Sequence, residues 1–187
     1  MPILGKEQSR FPEDVLSEDY FLRVSRQGHR WWALFTKARQ EKALARDLGA
    51  MGVPYYLPLI QRPNLIRGRK VYSYNPLFPG YVFVLADDDG RVQSLKTNRV
   101  CMTLPVPDGR ELQTDLRQLD TLIESSVPLT VEERLAPGDR VCIRRGSLAG
   151  IEGVVLERRG RSRLLVAVHF LQSGVSLEID DFLLEPV

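Results

Sequence analysis

The sequence predicts an α+β protein. An N-terminal region interleaves strands with helices, and an all-β C-terminal region closes as a small barrel. Three observations carry this. Residues 81–85, Tyr-Val-Phe-Val-Leu, are an aromatic and β-branched run entered through a stiff Pro-Gly turn. Residues 112–123 place apolar side chains at 112, 116, 119, 122 and 123, one face of a helix. Beyond Pro137 short runs follow one another too closely for crossover helices, the pattern of a small barrel.

In chain order, residues 1–28 are polar, mixed in charge and weakly periodic, and read as a flexible extension. Phe11, Val15, Leu16, Tyr20, Phe21 and Leu22 leave open a short docking helix within it. Residues 30–35 read as a strand, so Trp31 and Trp32 point to opposite faces, one into the core and one exposed or docked. Thr36 is a fair N-cap for a helix over 37–48, with Leu44, Ala45 and Leu48 on one side and Gly49 or Gly52 ending it. Residues 53–62 are extended, and Pro54 and Pro58 suit a sheet edge or a bulge. Residues 64–74 read as a hairpin with Arg67-Gly68-Arg69 at its tip.

Asp87-Asp88-Asp89-Gly90 is a turn. Its acids are consecutive, and Asn98 stands where a closing glutamate would, so it is not a calcium loop. A short helix over 91–97 and a strand over 100–104 follow. Residues 125–135, with Pro128, two serines and three charges, read as a linker. The expected organisation is therefore an extension over 1–28, a domain over 29–124, a linker over 125–135 and a barrel over 136–187. The barrel strands are expected over 140–144, 152–157, 164–171 and 175–179, with a last short one from Phe182 to Glu185.

A chain of 187 residues makes one or two domains. The formal net charge is only +2, but nine basic residues against two acids lie between His29 and Leu77. Such a region meets phosphates, meets an acidic protein face, or is a solvated surface. Its densest point is the hairpin tip, which makes Arg67, Arg69 and Lys70 the nucleic-acid candidates, with Asn64, Ser73 and Asn75 beside them. From Pro137 onward seven arginines face seven acids. A neutral module is a poor general RNA binder and a better protein-docking one.

Cys101 and Cys142 lie far apart without metal-ligand spacing and are expected to be buried free thiols in a reducing cytosol. No apolar run approaches the ~18 residues of a membrane helix. The N-terminus has no signal-peptide core, so a cytoplasmic chain without membrane contact is expected. His29 and His169 stand in no recognisable nucleophile–base pattern, and no metal or cofactor motif is present, which argues against an enzyme.

Two motifs remain. Asn75-Pro76-Leu77-Phe78-Pro79-Gly80-Tyr81-Val82-Phe83-Val84-Leu85 joins a proline-stiffened turn to a strand, with Phe78 and Tyr81 as aromatic surface beside it. Gly138-Asp139-Arg140-Val141-Cys142-Ile143 opens a strand–loop–strand unit punctuated by Gly146, Gly150 and Gly153. A phosphate-cradling loop would need Gly-Lys-Ser/Thr, which is missing.

The first motif resembles the signature strand of the NusG family of transcription elongation factors, and the second resembles the KOW motif. A Trp-led strand, the Phe-Pro-Gly-Tyr-Val strand, a linker and a terminal KOW motif resemble that family in order, its specialised paralogs included, over roughly residues 30–187. The resemblance implies an N-terminal α/β sandwich with an antiparallel sheet (NGN-like) and a C-terminal SH3-like β-barrel. It implies docking on the clamp helices of RNA polymerase through an apolar patch holding Trp31, Phe78 and Tyr81. It also implies that Arg67, Arg69 and Lys70 face upstream or non-template DNA, and that the KOW module meets a ribosomal protein or a termination factor. The expected function is elongation or antitermination by a monomer that suppresses pausing or termination. The alternative is a ribosome-associated KOW-type RNA-binding protein.

Overall fold

The computed structural model describes residues 6–180 and 183–187. It divides into two compact units, Met1–Gly109 and Arg110–Val187, so the break falls at the start of a helix rather than at 125–135.

The first unit contains, in order, β1 (Arg10–Phe11), α1 (Glu18–Ser25), β2 (Arg30–Thr36), α2 (Glu41–Ala50), β3 (Tyr55–Tyr56), β4 (Leu59–Ile66), β5 (Arg69–Pro76), β6 (Tyr81–Ala86), α3 (Asp88–Lys96) and β7 (Val100–Pro105). Five strands form an antiparallel sheet in the order β1-β3-β6-β2-β7, while β4 and β5 form a separate two-stranded ribbon. The signature strand β6 is central, and Val82, Phe83, Val84 and Leu85 are all buried. Register sets Tyr55, Val84 and Trp32 side by side on one face, and Tyr56, Phe83 and Ala33 on the other. On the first face α2 packs Leu44, Ala45 and Leu48 among Leu34, Val53, Leu57 and Val82. Each buried leucine or valine among them contributes about 1.5–3 kcal/mol of transfer free energy.

Several expectations are corrected. The segment over 1–28 is not a loose extension across its described part. In β1, Arg10 pairs with Tyr56 and Phe11 with Tyr55. The Tyr55 hydroxyl donates to the Gln8 carbonyl at 3.0 Å. Ser17 Oγ caps α1 by accepting from the Tyr20 N–H at 3.1 Å, and Val15, Leu16, Phe21 and Val24 are buried.

Both tryptophans of β2 are interior. The Trp32 Nε1–H donates to the Ala86 carbonyl at 3.2 Å. Trp31 is 0% exposed; a methyl group added at Gly109 would stand 3.8 Å from both Trp31 Cδ1 and Phe21 Cζ. Helix α2 starts at Glu41 rather than at 37. The Thr36 N–H donates to the Gly80 carbonyl and the Lys37 N–H to that of Arg99, both at 2.8 Å, so pairing runs through the expected cap. Arg39, at φ 60°, then turns the chain into the helix. The acidic run over 87–89 is a helix start: Asp87 Oδ1 accepts from the Gly90 N–H at 2.8 Å, with Asp88 and Asp89 in the first turn of α3. Both cysteines are free thiols; Cys101 is exposed, on the edge strand β7, and Cys142, on β9, is half-buried.

The second unit begins in α4 (Gly109–Glu124) and continues through β8 (Thr130–Glu132), β9 (Arg140–Ile143), β10 (Glu152–Arg158), β11 (Arg161–Val168), a 3-10 turn over His169–Leu171, β12 (Ser173–Glu178) and β13 (Leu184–Pro186). The expected linker thus contributes a strand, with Val131 of β8 opposite Val175 of β12. The antiparallel order is β13-β9-β10-β11-β12-β8. Among the described residues the sheet is open, with β8 and β13 at its edges, so the closed barrel expected from the sequence is not seen. The expected strand over 182–185 becomes β13, and Phe182 lies outside the described residues. Leu164, Leu165, Val166 and Val168 bury the centre of β11. Gly153 lets β11 come close, since a Cβ there would stand 2.4 Å from the Leu165 carbonyl oxygen.

Candidate functional site

The site is built on the turn before β6. Pro79 sets φ for the second position of a type II turn, and Gly80 takes φ 88° at the third. The Tyr81 N–H closes the turn on the Phe78 carbonyl at 3.1 Å. Glycine is required twice over, because a Cβ at position 80 would also stand 2.9 Å from Phe35 Cε2. The Gly80 N–H donates to Oε1 of the buried Glu41 at 2.7 Å, tying the turn to the first residue of α2.

This anchoring presents a row of side chains. Register sets Phe35 of β2 opposite Tyr81 of β6 on one side and Met102 of β7 on the other. The Phe35 and Tyr81 rings are tilted at 58° with centroids 5.4 Å apart. Phe35 is 37% exposed, Met102 51%, and Tyr81 half-buried. The next row inward, with Ala33 and Phe83, is closed to solvent. The face therefore opens at one end only. A bulge between Phe35 and Thr36 bends β2 at that open end.

Of the three aromatic candidates, Tyr81 lies on this row. Trp31 lies at the closed end of the same face, and Phe78 is 6% exposed. Both are buried and neither forms part of the open surface. Phe35 and Met102 escaped the sequence reading. Alternation along β2 set Phe35 on the Trp31 face, but only long-range register shows that it meets Tyr81 and Met102.

The basic candidates sit on the β4–β5 ribbon. Arg67 at φ 49° and Gly68 at φ 76° make its two-residue turn. Arg62, Arg67, Arg69 and Lys70 are exposed, and no acid lies between residues 59 and 76. Leu65, Ile66 and Tyr72 are exposed as well. Asn64 Nδ2 donates to Ser73 Oγ at 2.6 Å, so these two polar side chains satisfy one another.

In the second unit the His169 backbone N–H donates to Asp115 Oδ2 at 2.9 Å, and His169 Nδ1 lies 3.0 Å from the same oxygen. Burial pushes the Asp115 carboxyl up from its ordinary value, and both hydrogen bonds from His169 oppose the rise. Among the described residues no three His, Cys, Asp or Glu side chains are placed to hold a metal ion. No described helix is long and apolar enough to cross a membrane.

The exposed row and the basic ribbon both fall between residues 29 and 114. Those residues match the family model described as "Transcription termination factor nusG". This NusG-like stretch holds β2 through β7 and the start of α4.

Two solved structures are similar to the chain. One is described as "Domain interaction in Thermotoga maritima NusG"; it is 22% identical, covers 86% of this chain and 98% of that one, and has a TM-score of 0.45. The other is described as "Crystal Structure of MjSpt4:Spt5 complex conformation A"; it is 18% identical, with coverage of 84% and 97% and a TM-score of 0.26.

Proposed function

We propose that this chain is a NusG-like transcription elongation factor that docks on the clamp helices of RNA polymerase through the row Tyr81–Phe35–Met102. The observation that carries this reading is that row: rings and a thioether on adjacent strands, open to solvent beside a glycine turn that fixes their position. Aromatic and methionine side chains on rigid supports are what interface hot spots use. The match of residues 29–114 to the NusG family model supports the choice of partner.

The mechanism is binding alone. A ligand that favours one clamp state shifts the polymerase toward elongation and suppresses pausing or termination. The exposed ribbon with Arg67, Arg69 and Lys70 adds phosphate contacts to upstream or non-template DNA, which bring salt-dependent affinity without sequence reading. The KOW-like C-terminal module recruits a further protein.

The test is co-purification of the full chain with RNA polymerase. Phe35→Ala combined with Tyr81→Ala is expected to reduce recovery at least about tenfold, corresponding to the ~1.4 kcal/mol per decade of affinity. Equal recovery of wild type and variant, both folded by circular dichroism, would remove the row from the interface.

A further inference from the structure

We infer that residues 6–11 form a strap that locks the joint between the five-stranded sheet and the β4–β5 ribbon, and so fixes the direction in which Arg67, Arg69 and Lys70 are held out. The use of that direction rests on the proposed reading of the ribbon as a DNA contact. The strap itself can be tested without either partner.

The joint is weak by its own chemistry. The ribbon pairs only with itself, and just Leu57 and Pro58 link β3 to β4. Proline has no N–H to give, so Leu57 supplies the one backbone donor on the outgoing side. On the returning side the Leu77 N–H donates to the Pro58 carbonyl at 2.8 Å. Leu57 is 0% exposed, so its N–H needs an acceptor within the protein. That acceptor is the Ser9 carbonyl, at 2.6 Å. The strap thus supplies a bond that neither the sheet nor the ribbon provides.

Its other residues reach every element around the joint. Arg10 and Phe11 pair with Tyr56 and Tyr55 of β3. The Tyr55 hydroxyl donates to the Gln8 carbonyl, and burial, with Glu7 and Glu13 nearby, pushes its pKa up to about 12, so it remains a donor at neutral pH. Glu7 forms an ion pair with Arg46 of α2. Lys6 Nζ lies 5.7 Å from the centre of the Tyr74 ring in β5. Phe11 and Tyr74 both pack against the core cluster that holds Leu57 and Leu59. The strap therefore touches β3, α2 and the root of the ribbon. Each side-chain contact is modest alone, and they act together because one short segment makes them all.

The length of the arm makes a small angle matter. Strand β4 has eight residues, about 26 Å at ~3.3 Å each. A swing of about 20° at the joint would carry the tip roughly 9 Å, more than two nucleotide steps of ~3.4 Å along a duplex. The strap ends at the root, so the outer half of the ribbon keeps only its own pairing. It acts as a positioning element and makes no contact with the ligand.

The test compares a reference chain lacking residues 2–5 with a chain lacking residues 2–9. In the free proteins, amide exchange at Leu77 is expected to rise at least about tenfold in the shorter chain, with no change at Val82 and Val84 of β6. A photo-crosslinking residue at position 67 then reports where the tip lies on polymerase-bound bubble DNA. The reference is expected to mark a few adjacent nucleotides. The shorter chain is expected to recover polymerase equally, while its yield at those nucleotides falls at least about fivefold and spreads to others. In the full chain Glu7→Arg should broaden the marks, and adding Arg46→Glu should narrow them again, which separates aiming from loss of fold.

Unchanged exchange at Leu77 overturns the strap, as does the same crosslink pattern in both chains. Faster exchange at Val82 and Val84 overturns it too, because the segment would then be a general part of the sheet. A reference chain that recovers polymerase yet marks no DNA removes the ribbon from DNA, and the exchange at Leu77 still decides the strap.

Discussion

The chain builds the same tip twice on two different stalks. Arg67-Gly68-Arg69 and Arg159-Gly160-Arg161 are the same tripeptide, and the backbone agrees: φ is 49° and 76° in the first turn, 53° and 71° in the second. Local chemistry alone decides this, since a two-residue hairpin turn of this hand needs positive φ at both positions. The stalks share nothing. The β4–β5 ribbon pairs only with itself and is exposed from Gln61 outward apart from half-buried positions in β5. In the other hairpin, β11 lies between β10 and β12 and buries Leu164, Leu165, Val166 and Val168. A tip is thus specified by three residues, while its stiffness is specified by what its strands can bury.

The largest expected difference is in local opening. Amide hydrogen exchange at Val166 should be slower than at Val71 by about a thousandfold or more, because isolated two-stranded hairpins are marginal in water. Comparable protection would mean that the ribbon is braced. Next is truncation. Leu164→Ala, at a position 0% exposed, is expected to lose about 2–5 kcal/mol in urea denaturation, whereas Leu65→Ala, at 73% exposed, is expected to stay within about 0.5 kcal/mol.

A third experiment addresses the anchor that β11 has and the ribbon lacks, the bond of Asp115 to His169 just past the strand. Asp115→Ala leaves the His169 N–H without its acceptor and is expected to cost about 1–3 kcal/mol. Asp115→Asn keeps an acceptor and should cost less. The folded-state pKa of Asp115 is raised, so the folded chain holds this proton more tightly than the unfolded one. The contribution of the group is therefore complete below its unfolded value of about 3.9 and is lost as pH rises through the higher folded value. Asp115→Asn should flatten that part of the stability–pH curve. The smallest effect should be equal in the two hairpins. Gly68→Ala and Gly160→Ala meet no atom within 4 Å but force alanine into positive φ, at about 1 kcal/mol each. Unequal losses would show that the stalk reaches the tip.

The same division explains what the sequence disclosed. The hairpin tip, strand β6 and the core of β11 rest on neighbours in the chain, and each was legible. Strand β1 was not, because two residues form it only by pairing with Tyr55 and Tyr56, far along the chain. The start of α2 was missed because Thr36 spends its N–H on Gly80 instead of opening a helix. At the candidate site, Tyr81 was visible beside its Pro-Gly turn. Phe35 and Met102 were not, since only register across three strands brings them to it. The burial of Trp31 was hidden likewise, for alternation gives a side and not the depth of what covers it.

Gly80 has a mechanical corollary. The Phe35 ring rests where even a methyl group would not fit, and the same peptide unit is held by Glu41 at the head of α2. A load on that ring is passed to the turn and then to a helix packed on the opposite side of the sheet. Whatever leans on the open row is thereby felt behind it, and substitutions in the rear helix can retune the grip without touching the guest.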